Sequence, residues 1–194
     1  MKIKLITEDK YFLQFISGYY ESIKTDDSNI VKIEVSYLKR SEVYGIFDKE
    51  NSLVGGFALG MSTPYRLFEL IPDDQKENIS TPKNFHQNQC CEVVCIWKNK
   101  SVSKYFTTIV LWPKIFNGVL RSKKKYLLGH SHIKKLSNLY SILGPFIIYE
   151  GDSTVGLPSR LFVYGRPKVM IIRFFISTYF PVVRFMKSLR HKFK

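Results

Sequence analysis

The sequence predicts an α/β (α+β) fold, and three observations carry the prediction. Residues 91–151 read as strand, helix, strand, helix, strand. Upstream, Val43 to Gly60 reads as a hairpin, with arms VYGIF and LVGGFALG around the turn Asp48-Lys49-Glu50-Asn51-Ser52. The 194 residues are 45% apolar and 24% charged, the balance of a globular chain long enough for one core.

Met1 to Lys10 alternates charged and apolar residues and lacks the apolar h-region of a signal peptide, which predicts a cytoplasmic chain. Lys10 to Lys24 carries the apolar stripe of a helix, with Asp9 as its N-cap and a polar loop at 25–29. The alternation Val31-Lys32-Ile33-Glu34-Val35 predicts a strand. Within the hairpin, Gly55 and Gly56 predict a bulge or a close backbone approach. Residues 62–89, rich in Pro, Asp, Asn and Gln, predict a long loop with one short helix, part of a binding site or a lid.

Glu92 to Trp97 (EVVCIW) predicts a buried strand, and Lys98 to Ser103 a basic turn. Tyr105 to Leu120 follows as a helix capped by Ser103. Pro113 removes a donor from its interior and predicts a kink or a two-part helix. Lys125 to Gly129 predicts a short strand, and Ser131 to Leu143 an amphipathic helix. That helix ends in Leu139-Tyr140-Ser141-Ile142-Leu143-Gly144, where the glycine is the natural stop and Tyr140 lies on the last turn. Phe146–Glu150 and Arg160–Tyr164 predict two final strands around the turn-rich linker 151–158.

Charge is distributed unevenly. Residues 1–97 hold 11 Lys/Arg against 14 Asp/Glu, and residues 98–194 hold 19 against 2, a net +17. Such a half calls for an anionic partner: coenzyme A phosphates, an acidic carrier protein, anionic lipid or nucleic acid. Cys90, Cys91 and Cys95 form one cluster without a second, so they make neither a disulfide framework nor a zinc site; they read as buried reduced thiols, and no metal is expected. His130 and His132 alternate without a third ligand, and the Arg121–Lys125 run reads as a solvated helix end.

The run from Cys91 to Gly151, with its Tyr-x-x-x-Gly ending, resembles the donor half of the GNAT acyltransferase superfamily. The resemblance implies a mixed, mostly antiparallel sheet flanked by helices over residues 1–165; residues 166–194 read separately as a basic amphipathic C-terminal helix. It implies transfer of an acyl group from an acyl-CoA or acyl-carrier-protein thioester to an amine. Tyr140 matches the leaving-group acid and Glu92 the base; a core tyrosine and a solvated strand glutamate are the plain alternatives. Val93, Val94, Cys95, Ile96 and Trp97 would offer backbone to the donor. Lys98, Lys100, Ser101, Ser103 and Lys104 occupy the place of the diphosphate loop. The family's Gln/Arg-x-x-Gly-x-Gly/Ala signature is absent there, so lysine charge stands in for glycine backbone. The missing signature, Glu92 and the run Leu136–Gly151 also resemble the branch of acyl-homoserine-lactone synthases and long-chain N-acyl amino acid synthases.

Two other functions fit the same residues. A DNA-modifying or nucleic-acid-binding protein on this fold, similar to Mom-type proteins, would use the basic half and its aromatics. A non-catalytic membrane-peripheral protein would use the tail. From Val169 to Phe185 the chain is overwhelmingly apolar, and no acid follows Asp152. Arg173 and Arg184, eleven residues apart, share a helix face at about 3.6 residues per turn. Lys187, His191 and Lys194 continue it, and Pro181 predicts a kink. Two arginines and a proline argue against a spanning helix and for one lying on an anionic membrane surface; packing on the chain's own domain or on a second subunit is the alternative.

Overall fold

In the computed structural model, which describes residues 1–23, 32–131 and 144–179, seven strands form one sheet. They are β1 (Lys2–Leu5), β2 (Ser41–Phe47), β3 (Leu53–Gly60), β4 (Cys90–Lys98), β5 (Tyr126–Ser131), β6 (Phe146–Asp152) and β7 (Pro158–Gly165). Their order is β1-β2-β3-β4-β5-β7-β6, antiparallel throughout except for the parallel pair β4–β5. A parallel pair needs a crossover, and a helix supplies it.

Each face of the sheet is covered. On one lie α1 (Asp9–Ile23) and α2 (Val35–Lys39), whose Phe12, Phe15, Tyr37 and Leu38 pack on Val43, Ala58, Val94, Leu128 and Leu161. On the other, α3 (residues 104–121) and α4 (Arg166–Phe174) bury Leu111, Ile115, Val119, Val169 and Ile172 against Ile46, Leu59, Cys91, Leu127 and Phe162. Burying each large side chain contributes about 1.5–3 kcal/mol. The alternation of β2, β5 and β7 between the two clusters is the period-2 pattern of a strand with two covered faces.

The crossover helix α3 spans 104–121 in two α segments, Lys104–Phe106 and Trp112–Arg121, separated by a π turn, Thr107–Leu111. This is the two-part helix that Pro113 predicts. Proline has no N–H to give and its ring crowds the carbonyl four residues back, so widening the preceding turn relieves both. The Trp112 N–H accordingly reaches back five residues, to the Thr107 carbonyl.

Three sequence expectations are corrected, and one strand is added. Residues 32–34 form no strand: the Ile33 N–H is taken by the Tyr20 hydroxyl at 2.7 Å, and the Glu34 carbonyl accepts the N–H groups of Tyr37 and Leu38, which opens α2. Asp9 is the first residue of α1 and not its cap; its carboxylate meets Lys39 at 2.8 Å. Strand β1 was not expected, because its exposure alternates little and pairing with β2 alone defines it. Residues 62–89 hold three 3₁₀ turns, Arg66–Leu70, Asp73–Asn78 and Gln87–Gln89, in place of one helix, pinned by buried Tyr65, Leu67 and Ile71.

The hairpin forms as expected. Asp48 Oδ1 accepts the N–H groups of Glu50 and Ser52, and Asn51 takes a φ of 62°. At Gly56 an added Cβ would sit 2.4 Å from the Tyr44 carbonyl oxygen, so only glycine allows that approach. The helix expected over 131–143 lies outside the described residues from 132 on, and with it Tyr140 and His132; Ser131 itself ends β5. The final helix, α4, begins at Arg166 (Arg166–Phe174) and continues as a π turn, Phe175–Tyr179. Arg166 fixes its start: its N–H meets the Lys125 carbonyl and its guanidinium the Leu120 carbonyl at the end of α3.

Candidate active site

Strands β4 and β5 pair only through Cys90, Cys91 and Glu92, opposite Tyr126, Leu127 and Leu128. β4 then runs six residues further to Lys98, while β5 stays with β7 to Ser131. The two strands part at Glu92, and among the described residues the β4 backbone from Val93 on faces the opening without a strand partner on that side.

On its other side β4 carries a bulge. Val94 pairs with Ala58 and Trp97 with Gly56, so Cys95 and Ile96 together face Phe57 alone. Cys95 takes a φ of 53°, a left-handed conformation that L side chains adopt at a cost. The extra residue inverts the alternation. Val94 and Cys95 both lie on the α1 face, Ile96 stands 37% exposed on the other, and Trp97 returns to the α1 face. There its ring meets Phe15 edge-on, with centroids 5.9 Å apart, and covers Gly18. Beside it an open groove of about 870 Å³ runs between α1 and the end of β4, lined by Lys10, Gln14, Gly18, Trp97, Lys98 and Lys100.

Glu92 sits at the apex of the opening, wholly buried, which rules out the solvated alternative. Its Oε1 accepts the Tyr37 hydroxyl at 2.7 Å and the Arg66 N–H at 2.9 Å; Oε2 accepts the Leu67 N–H at 2.9 Å. The carboxylate thus binds the first turn after Tyr65, whose own hydroxyl donates to the Cys90 carbonyl, and the Arg66 side chain donates to the Lys32 carbonyl. Burial pushes the Glu92 carboxyl above its ordinary pKa, against the pull of these three donors. Burial also raises the Tyr37 phenol, and the neighbouring carboxylate adds to it. Gly60 leaves room for the pair: a Cβ there would lie 2.6 Å from the Tyr37 hydroxyl and 2.8 Å from Glu92.

The three cysteines are free and buried. Burial pushes Cys95 up to about 12 and Cys91 to about 11, so neither thiol offers a thiolate near neutral pH. Among the described residues no group of three or more His, Cys, Asp or Glu is placed to hold a metal ion. His130 lies on β5 with Nε2 2.8 Å from the Ser159 hydroxyl.

The loop after β4 is held by its own side chains. Asn99 Oδ1 accepts the N–H and hydroxyl of Ser101, Val102 is buried, and the Lys98 ammonium donates to the Val102 carbonyl. Lys98 is therefore committed to the loop, while Lys100 and Lys104 are exposed. Ser103 caps α3, its hydroxyl accepting the Phe106 N–H at 3.0 Å. The amides of Lys104 and Tyr105 precede the helical ladder, as the first donors of any helix do. Replacing Ser103 by alanine is expected to cost about 1 kcal/mol of stability. A chemical melt checks this, and an unchanged midpoint would mean that the cap contributes nothing.

Tyr37, the 65–67 turn and Gly60 were not legible as site residues. They lie 25 to 55 positions from Glu92 in sequence, and their residue types are ordinary for a core.

No protein-family model matches the chain, and no curated protein matches it in sequence. Solved structures match its fold. The N-acyl amino acid synthase FeeM from uncultured soil microbes aligns with a TM-score of 0.59 at 14% identity, over 87% of this chain and 92% of that one. The CoA-dependent acyl-homoserine lactone synthase MesI aligns at 0.57 and 13%, over 91% and 95%. An N-acetyltransferase from Staphylococcus aureus Mu50 aligns at 0.53 and 14%, over 84% and 96%. At these identities it is the fold that is shared: a mixed, mostly antiparallel sheet flanked by helices, the GNAT fold that the sequence resembles.

Proposed function

We propose that this GNAT-fold chain is an N-acyltransferase that moves an acyl group from a thioester to an amine. The parting of β4 from β5 at Glu92, with the bulge at Cys95 and Ile96 just beyond, carries the proposal. It leaves a length of strand backbone facing an opening, where an extended thioester arm can pair and a main-chain N–H can meet the carbonyl oxygen as it gains charge. The amine attacks that carbonyl carbon, the C–N bond forms, and the tetrahedral adduct collapses with loss of the C–S bond. The amine's proton must leave and the sulfur must gain one. Tyr140, through its match to the family pattern, is the donor to sulfur. Glu92 takes up the amine's proton by relay, the Tyr37 hydroxyl accepting it while passing its own to the carboxylate, and the same carboxylate holds the 65–67 turn. The protonated state of Cys95 favours direct attack over an acyl-cysteine intermediate.

Two of the fold's relatives act on acyl donors, FeeM as an N-acyl amino acid synthase and MesI as a CoA-dependent acyl-homoserine lactone synthase. That precedent, with the +17 half, supports acyl-CoA or an acidic acyl carrier protein as donor and a small amine as acceptor. The loop 98–104 would meet the donor's phosphates through Lys100, Lys104 and the first amides of α3, with Ser101 and Ser103 shaping it.

The test is thiol release from acyl-CoA and acyl-carrier-protein donors of several chain lengths, with mass spectrometry of the amide formed from a panel of amino acids. Turnover on one donor class is expected, and Tyr140→Phe should reduce it about 10²-fold or more. No thiol release on any donor, together with salt-steep DNA retention and modified nucleosides, would replace this reading with nucleic-acid modification, the alternative that the basic half favours.

A further inference from the structure

Helix α4 is apolar on both sides. Val169 and Ile172 face the core, and Ile176 packs behind them. Met170, Ile171, Phe174 and Phe175 point outward, 56%, 54%, 60% and 45% exposed. Their spacing puts them on one helix face, and the rings of Phe174 and Phe175 meet edge to face, with centroids 6.1 Å apart. The π turn 175–179 lies against the π turn of α3, so exposed Val110 extends the patch. Four large apolar side chains in six positions are not the scattered apolar surface of an ordinary chain. With one apolar stripe already on the core, a second one facing outward between exposed cations marks a surface that something covers.

Charge says what. Lys168 and Arg173 stand exposed on the same helix, and the sequence beyond Tyr179 adds Arg184, Lys187, Arg190, Lys192 and Lys194 with no acid. A second copy would bring the same cationic half against itself, since a two-fold interface places one patch on the same patch. A negatively charged surface with an apolar interior answers both features. No helix among the described residues is long and apolar enough to cross a membrane.

We propose that this face docks on an anionic lipid bilayer, with α4 lying in the interfacial plane, its outer side chains among the acyl chains and its cations at the headgroups. The docking is separate from the acyl-transfer chemistry, and neither requires the other.

The test is flotation of the full chain with vesicles of phosphatidylcholine alone and of phosphatidylcholine mixed with phosphatidylglycerol, at low and high salt. Binding to the anionic vesicles is expected, weak on the neutral ones and reduced by salt. The double variant Phe174→Ser/Phe175→Ser should bind roughly tenfold or more weakly. Both positions are exposed, so the variant should keep the wild-type melting temperature and its turnover on soluble donors. Absence of binding, binding equal in the variant, or a lipid-free dimer that the variant abolishes would each overturn the proposal, the last in favour of a second copy.

Discussion

Glu92→Ala is expected to lose about 3 kcal/mol or more of stability, from three buried donors left without an acceptor at about 1–3 kcal/mol each. For a chain of this size that corresponds to a fall of about 10 °C in Tm. The three donors come from two places: the Tyr37 hydroxyl on α2 and the Arg66 and Leu67 amides of the first 3₁₀ turn. Removing the carboxylate therefore frees two elements from β4 at the point where β4 and β5 part, and turnover should fall with stability. Glu92→Gln separates the effects. It keeps the volume and one good acceptor but turns an NH₂ toward a backbone N–H, so it should cost about 1–2 kcal/mol. Thermal and chemical melts of both variants, beside thiol-release rates, check this. A Glu92→Ala protein as stable as wild type would show that the carboxylate holds nothing together, and the network above would be wrong.

Deleting Cys95 is expected to straighten β4 and to lower turnover about tenfold or more, with a loss of about 1–3 kcal/mol of stability from the buried thiol and the local rearrangement. Without the extra residue, Val94, Ile96 and Trp97 would pair regularly with Ala58, Phe57 and Gly56, so Trp97 keeps its place against Phe15 and Gly18 while the local twist of β4 beside the opening is lost. Cys95→Gly is the contrasting variant. Glycine adopts a φ of 53° without strain, so the bulge survives and only the buried thiol is lost, for about 1 kcal/mol. Melts and turnover of the two proteins are the measurement. A deletion variant that folds and turns over like wild type would remove the bulge from the mechanism.

Much of the site's scaffold was legible in the chain. The apolar run at Glu92–Trp97, the cap at Ser103 and the break at Pro113 act through neighbours within a few positions, and all three appear in the structure. The glycines at 55 and 56 announced a close approach, and β4 and β2 backbone meet them there. The strand read at 31–35 failed because alternation reports burial, and Ile33, Tyr37 and Leu38 are buried by α1 and the sheet without any strand beside them.

By itself, then, the sequence determined the crossover helix, the hairpin, the strands from β4 on and the basic half, because each depends on backbone propensity, spacing or charge carried within a short stretch. Only the tertiary structure decided that Glu92 is a buried junction, that β4 is bulged at Cys95, and that Trp97 faces α1. Alternation along β4 would place Trp97 with Cys91 and Val93 on the opposite face. One extra residue, set by pairing with a strand some forty positions earlier, reverses it. A side-chain period of two turns that single local insertion into an exchange of faces for everything that follows.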